Sequence, residues 1–184
     1  MRMVICPRLD QPTTPIPPLA RKRQPPPARP ARVSRGRSRR KSRVSYTADT
    51  WPAGRWPNFS FTEMACQETG ECGIDEATMD RMQLLRDYCG LPLTITSGYR
   101  SPRHSIEAAK AAPGTHSMGR AVDISCSGIQ AFKILTEALA VGFTGIGVKQ
   151  NGYTRRGTME NRFLHLDDLK PGEHTAPRPT IWSY

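Results

Sequence analysis

An α+β fold, with a small antiparallel sheet and helices packed against it, follows from three observations. Helices and short, closely linked strands succeed one another in an order that suits an antiparallel sheet. The chain changes composition sharply near residue 50, leaving about 130 residues, a normal size for one core. No segment recurs at a fixed period, which excludes solenoid and propeller architectures.

The first boundary is one of charge. The 184-residue chain carries a net +11, yet residues 1–45 hold 13 of its 27 Lys and Arg against one acid, Asp10. They also hold 9 of its 17 prolines and no aromatic residue. Such a stretch, with "PIPPLARKRQPPPARPAR" at its centre, cannot bury enough apolar surface to offset its ordering entropy. Residues 1–50 are therefore expected to form a disordered Pro/Arg-rich arm of polyproline character, and residues 51–184 one domain. The arm suits nucleic acid, an anionic wall polymer or an acidic membrane surface, or is a solvated extension.

The apolar run in "MRMVICPRLD" ends at Pro7, too short for a secretory signal. No later stretch reaches the length of a transmembrane span. A protein made in the cytoplasm and monomeric is expected. Cys6, Cys66, Cys72, Cys89 and Cys126 lack a repeated CxxC pattern, against a four-cysteine zinc site. Cys66 and Cys72 could close a small disulfide loop, but reduced thiols are the default without export.

Within the domain, "NFSFTEMAC" offers Asn58 or Ser60 as a cap for a first helical turn, with Glu63 completing a capping box after Ser60. "GIDEATMDRMQLLRDYCG" is the clearest helix. Asp75 caps it, Met79, Met82, Leu85 and Cys89 share a face, and Gly90 stops it. "LPLTITSGYR" reads as a strand entering a turn, with Leu93 and Ile95 alternating with Thr94 and Thr96. "RAVDISC" is a second strand. "GIQAFKILTEALAVG" is an amphipathic helix, predicted to bury Ile129, Phe132, Leu135 and Leu139. "GFTGIGVKQ" and "RFLHLDD" are two more strands, joined by a polar, hairpin-like connection.

Three side chains invite a metal. Asp123 shares a strand face with Ala121, opposite Val122 and Ile124, and His165 shares one with Phe163 and Asp167. A polar residue among apolar strand neighbours needs a partner, since burying it unpaired costs roughly 1–3 kcal/mol. His116, seven positions before Asp123, forms with it either a buried hydrogen-bonded pair or part of a metal site. Two imidazoles and one carboxylate suit zinc with a position left for water, whose pKa then falls towards about 7. No GxSxG elbow points to serine catalysis.

"ITSGYRSPRHS", "GTHSMGRAVDI", "GFTGIGV" and "RFLHLDDL", in this order, resemble the M15 family of zinc D-Ala-D-Ala carboxypeptidases and phage endolysin-type peptidases, with its hedgehog/DD-peptidase fold. The resemblance covers roughly residues 58–184, including the ending "RPTIWSY". It implies zinc held by His116, Asp123 and His165, and Arg100 lying over the site. There a guanidinium can bind a developing oxyanion or a peptide's terminal carboxylate; a surface salt bridge is the plainer role.

Many relatives carry an acid or histidine shortly before the last zinc histidine, where this chain has Arg162 and Phe163. That leaves Asp167, as general base or as acceptor of a hydrogen bond from a ligand histidine, and then Glu160. Asp168 faces the other way and is expected to be structural. Ser97, Tyr99, Ser101 and His104 flank Arg100 and could line a groove, although His104 and His174 read by default as solvated loop histidines. Trp182 and Tyr184 are expected to pack the C-terminus onto the domain.

The resemblance implies hydrolysis of peptidoglycan stem peptides, in lysis or wall processing, after release through the membrane or delivery by a virion. The competing expectation is a catalytically silent, zinc-stabilised binding module with an anchoring basic arm.

Overall fold

Local hydrogen bonding determines where the first elements start. The computed structural model describes residues 44–151 and 162–184; the arm up to residue 43, with Cys6, lies outside them, as does Glu160. Ser60 caps helix α1 (Phe61–Met64) and, with Glu63, forms the expected capping box. Asp75 accepts hydrogen bonds from the Ala77 and Thr78 amides at the start of α2 (Glu76–Cys89). Gly90 ends that helix in the left-handed region at φ 59°, where a side chain would be strained. Met79, Met82, Leu85 and Cys89 are buried as predicted.

The remaining elements are β1 (Thr94–Ser97), α3 (Ser105–Ala108), β2 (Ala121–Ser125), α4 (Gly128–Ala140), β3 (Gly145–Lys149), β4 (Phe163–Asp167) and β5 (Thr180–Ser183). The strands form one sheet in the order β1-β2-β4-β3-β5. The first three pairings are antiparallel, as expected. The last is not: β5 runs parallel to β3 at the sheet edge. "TIWS" shows no fully buried side, with Ile181 exposed, so its pattern alone does not mark a strand; pairing with β3 does.

Helix α4 forms as predicted but turns the other way. Ile129 and Phe132 are 83% and 68% exposed, Leu139 is exposed too, and the buried positions are Ala131, Ile134 and Ala138. The helix is apolar on two faces, and α2 and β4 pack against it. The alanine face lets those backbones approach, with Ile134 fully buried and Leu135, one of the predicted positions, partly buried against the core.

Beneath the helices lie Val122, Ile124, Ile146, Leu164 and Leu166, all fully buried on one sheet face. Each contributes roughly 1.5–3 kcal/mol on leaving water. The same unit takes in Tyr46, ahead of Trp51. Its ring is buried edge-on to Trp51 and Trp56 at 5.5 and 5.8 Å, and its backbone bridges to Cys72. Cys66, Cys72, Cys89 and Cys126 are buried free thiols. No helix among the described residues is long and apolar enough to cross a membrane.

Candidate metal centre and active site

The opposite sheet face is polar at its centre. Antiparallel register sets Asp123 of β2 directly across from His165 of β4, so the two side chains project together. His116 reaches them from the turn before β2. That turn is closed by hydrogen bonds from the Gly119 amide to the His116 carbonyl and from the Met118 amide to the Gly114 carbonyl.

Three atoms converge. His165 Nδ1 lies 2.7 Å from Asp123 Oδ1, and His116 Nε2 lies 3.2 Å from both. All three residues are buried.

The donor set fits a metal on a proton argument. His116 Nδ1 sits 2.7 Å from the Gly98 carbonyl oxygen, which can only accept, so Nδ1 carries the hydrogen. In the neutral ring Nε2 is then a bare lone pair, aimed at a carboxylate oxygen and at a second imidazole. Such a cluster could hold a cation at its centre, and N, N, O is a donor set that zinc accepts.

The electrostatics differ between the two rings. Burial pushes His116 below the ordinary imidazole range, which favours the neutral form that a metal ligand needs. Burial opposes charge on His165 too, but hydrogen bonds to Asp123 and Asp167 outweigh it and hold that ring above the ordinary range. Burial would raise the Asp123 carboxyl; bonds from the two histidines hold it far below the carboxylate range instead.

The surrounding residues divide the predicted roles. Arg100 stands at the centre, its Nε donating to Ser97 Oγ at 2.9 Å and its Nη2 to Asp123 Oδ2 at 3.0 Å. Ser97 therefore orients Arg100. Tyr99 is core and Ser101 is buried against Glu71, so neither lines the site. His104 corrects the loop reading: it is buried and caps α3, Nδ1 accepting from the Ile106 amide. His174 accepts from the Ala176 amide through Nδ1 and lines the cleft.

Asp168, as expected, is structural, buried between Arg81 and Arg120 at 2.6 and 2.5 Å. Asp167 is fully buried, and Arg178 grips both its oxygens at 2.7 and 2.6 Å. Its Oδ2 stands 3.5 Å from His165 Nε2. Burial would raise this carboxyl, but the hydrogen bonds to His165 and Arg178 hold it down to about 2.

The spaced glycines of "GFTGIGV" now have a reason. Gly145 and Gly147 face Asp167 and His165 across the β3–β4 ladder. A Cβ at Gly145 would collide with the Asp167 carboxylate, and one at Gly147 would come within 2.8 Å of the Trp182 ring. That ring lies 5.4 Å from His165. Trp182 and Tyr184 do pack the C-terminus, and with Phe163 they also line the cleft over the three donors, beside Arg100 and Lys110. The cleft measures ≈ 1740 Å³, more than the roughly 300–1,000 Å³ of a small-molecule pocket.

The geometry agrees with a comparison of sequences: the model of the Peptidase M15 family matches residues 57–167. The chain belongs to this family. No curated protein matches it. Family and buried His-Asp-His group together mark a peptidase of metallopeptidase type. The matched segment carries all three donors and ends at Asp167, so Arg178, Trp182 and Tyr184 lie beyond it. Sequence reasoning missed Arg178 and Glu107. The latter is buried, pairs with Lys110 at 2.6 Å, and stands 4.0 Å from Arg100. A basic residue in a Pro-rich connection and an acid in a loop helix carry no periodic signal.

Proposed function

We propose that this protein is a zinc-dependent peptidase that hydrolyses peptide bonds in the stem peptides of bacterial peptidoglycan. The observation that supports it most is the buried convergence of His116 Nε2, Asp123 Oδ1 and His165 Nδ1 beneath an open cleft. Zinc, when bound there, supplies Lewis-acid polarisation of the scissile carbonyl and activation of water.

The chain's own residues supply the rest. Arg100, held by Ser97 and Asp123, presents its guanidinium to the oxygen that gains charge, or to a peptide's terminal carboxylate. The aromatic wall of Phe163, Trp182 and Tyr184 excludes water from one side of the bound peptide. Asp167, the first candidate for general base, is instead gripped by Arg178 and turned to His165, so that it orients that ligand, which leaves the general-base role to the second candidate, Glu160. The arm tethers the enzyme to nucleic acid or an anionic polymer.

The test is incubation of purified protein with peptidoglycan. Release of peptides or D-alanine that stops with chelator and returns with zinc is expected. Glu160→Gln should lose that activity while still binding metal, and full activity in this variant would overturn the base assignment. One observation favours a second reading, a silent binding module: among described residues, Asp123 and Glu173 are the acids lining the cleft. Glu173 is engaged by the Lys170 amide and Arg120. Binding to peptidoglycan without cleavage would select that reading.

A further inference from the structure

Asp167 poses a physical question. A fully buried carboxylate, here at the end of β4, is costly unless it is paired and hydrogen-bonded. Its partner comes from eleven residues further along the chain: Arg178, itself buried, in the connection that delivers β5 to the sheet edge. The grip is the two-pronged one a guanidinium alone provides, Nε to Oδ1 at 2.7 Å and Nη2 to Oδ2 at 2.6 Å. Arg178 is fixed in turn, Nη1 donating to the Pro177 carbonyl at 2.8 Å and the guanidinium lying 5.5 Å from the Trp182 ring. The Leu169 amide adds a third bond to the carboxylate at 3.3 Å. Gly145 leaves the space in which it sits.

The carboxylate so anchored stands beside the outer nitrogen of His165. Nε2 has two oxygens near it, Asp167 Oδ2 at 3.5 Å and Thr115 Oγ1 at 3.4 Å, while Nδ1 faces His116 and Asp123. The ring is thus located between the donor cluster and an acceptor whose own position it does not set.

We infer that Arg178, beyond the family-matched segment, is a positioning residue for the metal centre, acting through its grip on Asp167 to fix the tautomer and orientation of His165. This rests on the three donors holding a metal, and not on the substrate proposed above. The C-terminal segment is then a functional part of the site as well as a lid on the sheet edge.

The test titrates zinc, and cobalt(II) for its absorption spectrum, into the full chain against a competing chelator, with thermal unfolding of the metal-free protein alongside. Arg178→Met should weaken metal affinity about 10–100-fold and alter the cobalt spectrum, and Arg178→Lys, with one prong, should fall between. Where Arg178→Met does not fold, Asp167→Asn carries the same readout with the side-chain shape kept. The double variant should bind no more weakly than the weaker single one, because both act along one path. Unchanged affinity and spectrum with a lowered melting point would overturn the inference, leaving Arg178 a packing residue. Losses that multiply in the double variant would overturn it as well. Absence of peptidoglycan cleavage with these metal effects intact would instead count against the substrate alone.

Discussion

The two faces of the central sheet come from the same strands and do opposite work. Towards the helices, Val122, Ile124, Ile146, Leu164 and Leu166 form an unbroken apolar layer. Towards the cleft, the residues between them are Asp123, His165 and Asp167, with Gly145 and Gly147 across the ladder. A one-residue alternation thus separates the apolar layer that stabilises the fold from the polar face that could hold a metal. The difference teaches that this site is strong in geometry and costly in burial: each polar group is held by a partner, whereas the apolar layer only has to exclude water.

Substitutions can break this division. The largest effect is expected at the ligands, where His116→Ala or His165→Ala should lower peptide release by about 10³-fold or more, roughly 4 kcal/mol of transition-state stabilisation. Chelator should reproduce the loss in the wild type, and added zinc should reverse it there alone, as read by release of soluble peptide from peptidoglycan. On the apolar face, Ile146→Ala should destabilise the fold by about 2–5 kcal/mol in a denaturant titration, with metal affinity of the folded protein retained. An Ile146→Ala variant that stayed folded but lost metal would show that the faces are not separable.

Acid should act on the polar face first. The Asp167 carboxyl, held down to about 2, lies below the roughly 3.9 of an unfolded chain. A lowered folded value means that its contribution is complete above the unfolded value and disappears as pH falls through the folded one. In chelator, wild type should exceed Asp167→Asn in stability by on the order of 2 kcal/mol near pH 6, and the gap should narrow towards pH 2. A gap that widened in acid would contradict the pairing.

Gly145→Ala sharpens the comparison from the other side, because its Cβ meets the Asp167 carboxylate rather than a flexible tip. It should cost about 1–3 kcal/mol and weaken metal binding together. The smallest effect is expected at Phe132, exposed on α4: Phe132→Ala should change stability by no more than about 0.5 kcal/mol, against a core-sized loss for Ile134→Ala, its buried neighbour on the same helix.

Much of the site was legible before any fold was known. His165 and Asp123 stand out because a polar residue inside a short apolar strand needs a reason to be there, and the ordered motifs tie them to His116 and Arg100. Ser60, Glu63, Asp75 and Gly90 were legible because capping is a conversation between residues a few positions apart. What escaped was decided at longer range. Helix α4 has two apolar stripes, and choosing between Ile129 with Phe132 and Ala131 with Ile134 requires the surface it packs on. His104 looked like a loop residue until α3 gave it an amide to cap.

By itself the amino-acid sequence determined the caps and the two-residue rhythm of β2 and β4, because each depends on neighbours in the chain, and the ordered motifs, through their family resemblance, singled out three candidate donors. Tertiary structure alone decided that β5 runs parallel to β3, that Arg178 reaches Asp167, and that Gly145 and Gly147 clear the floor of the cleft. Those outcomes depend on register and close approach between segments, which a linear pattern does not encode.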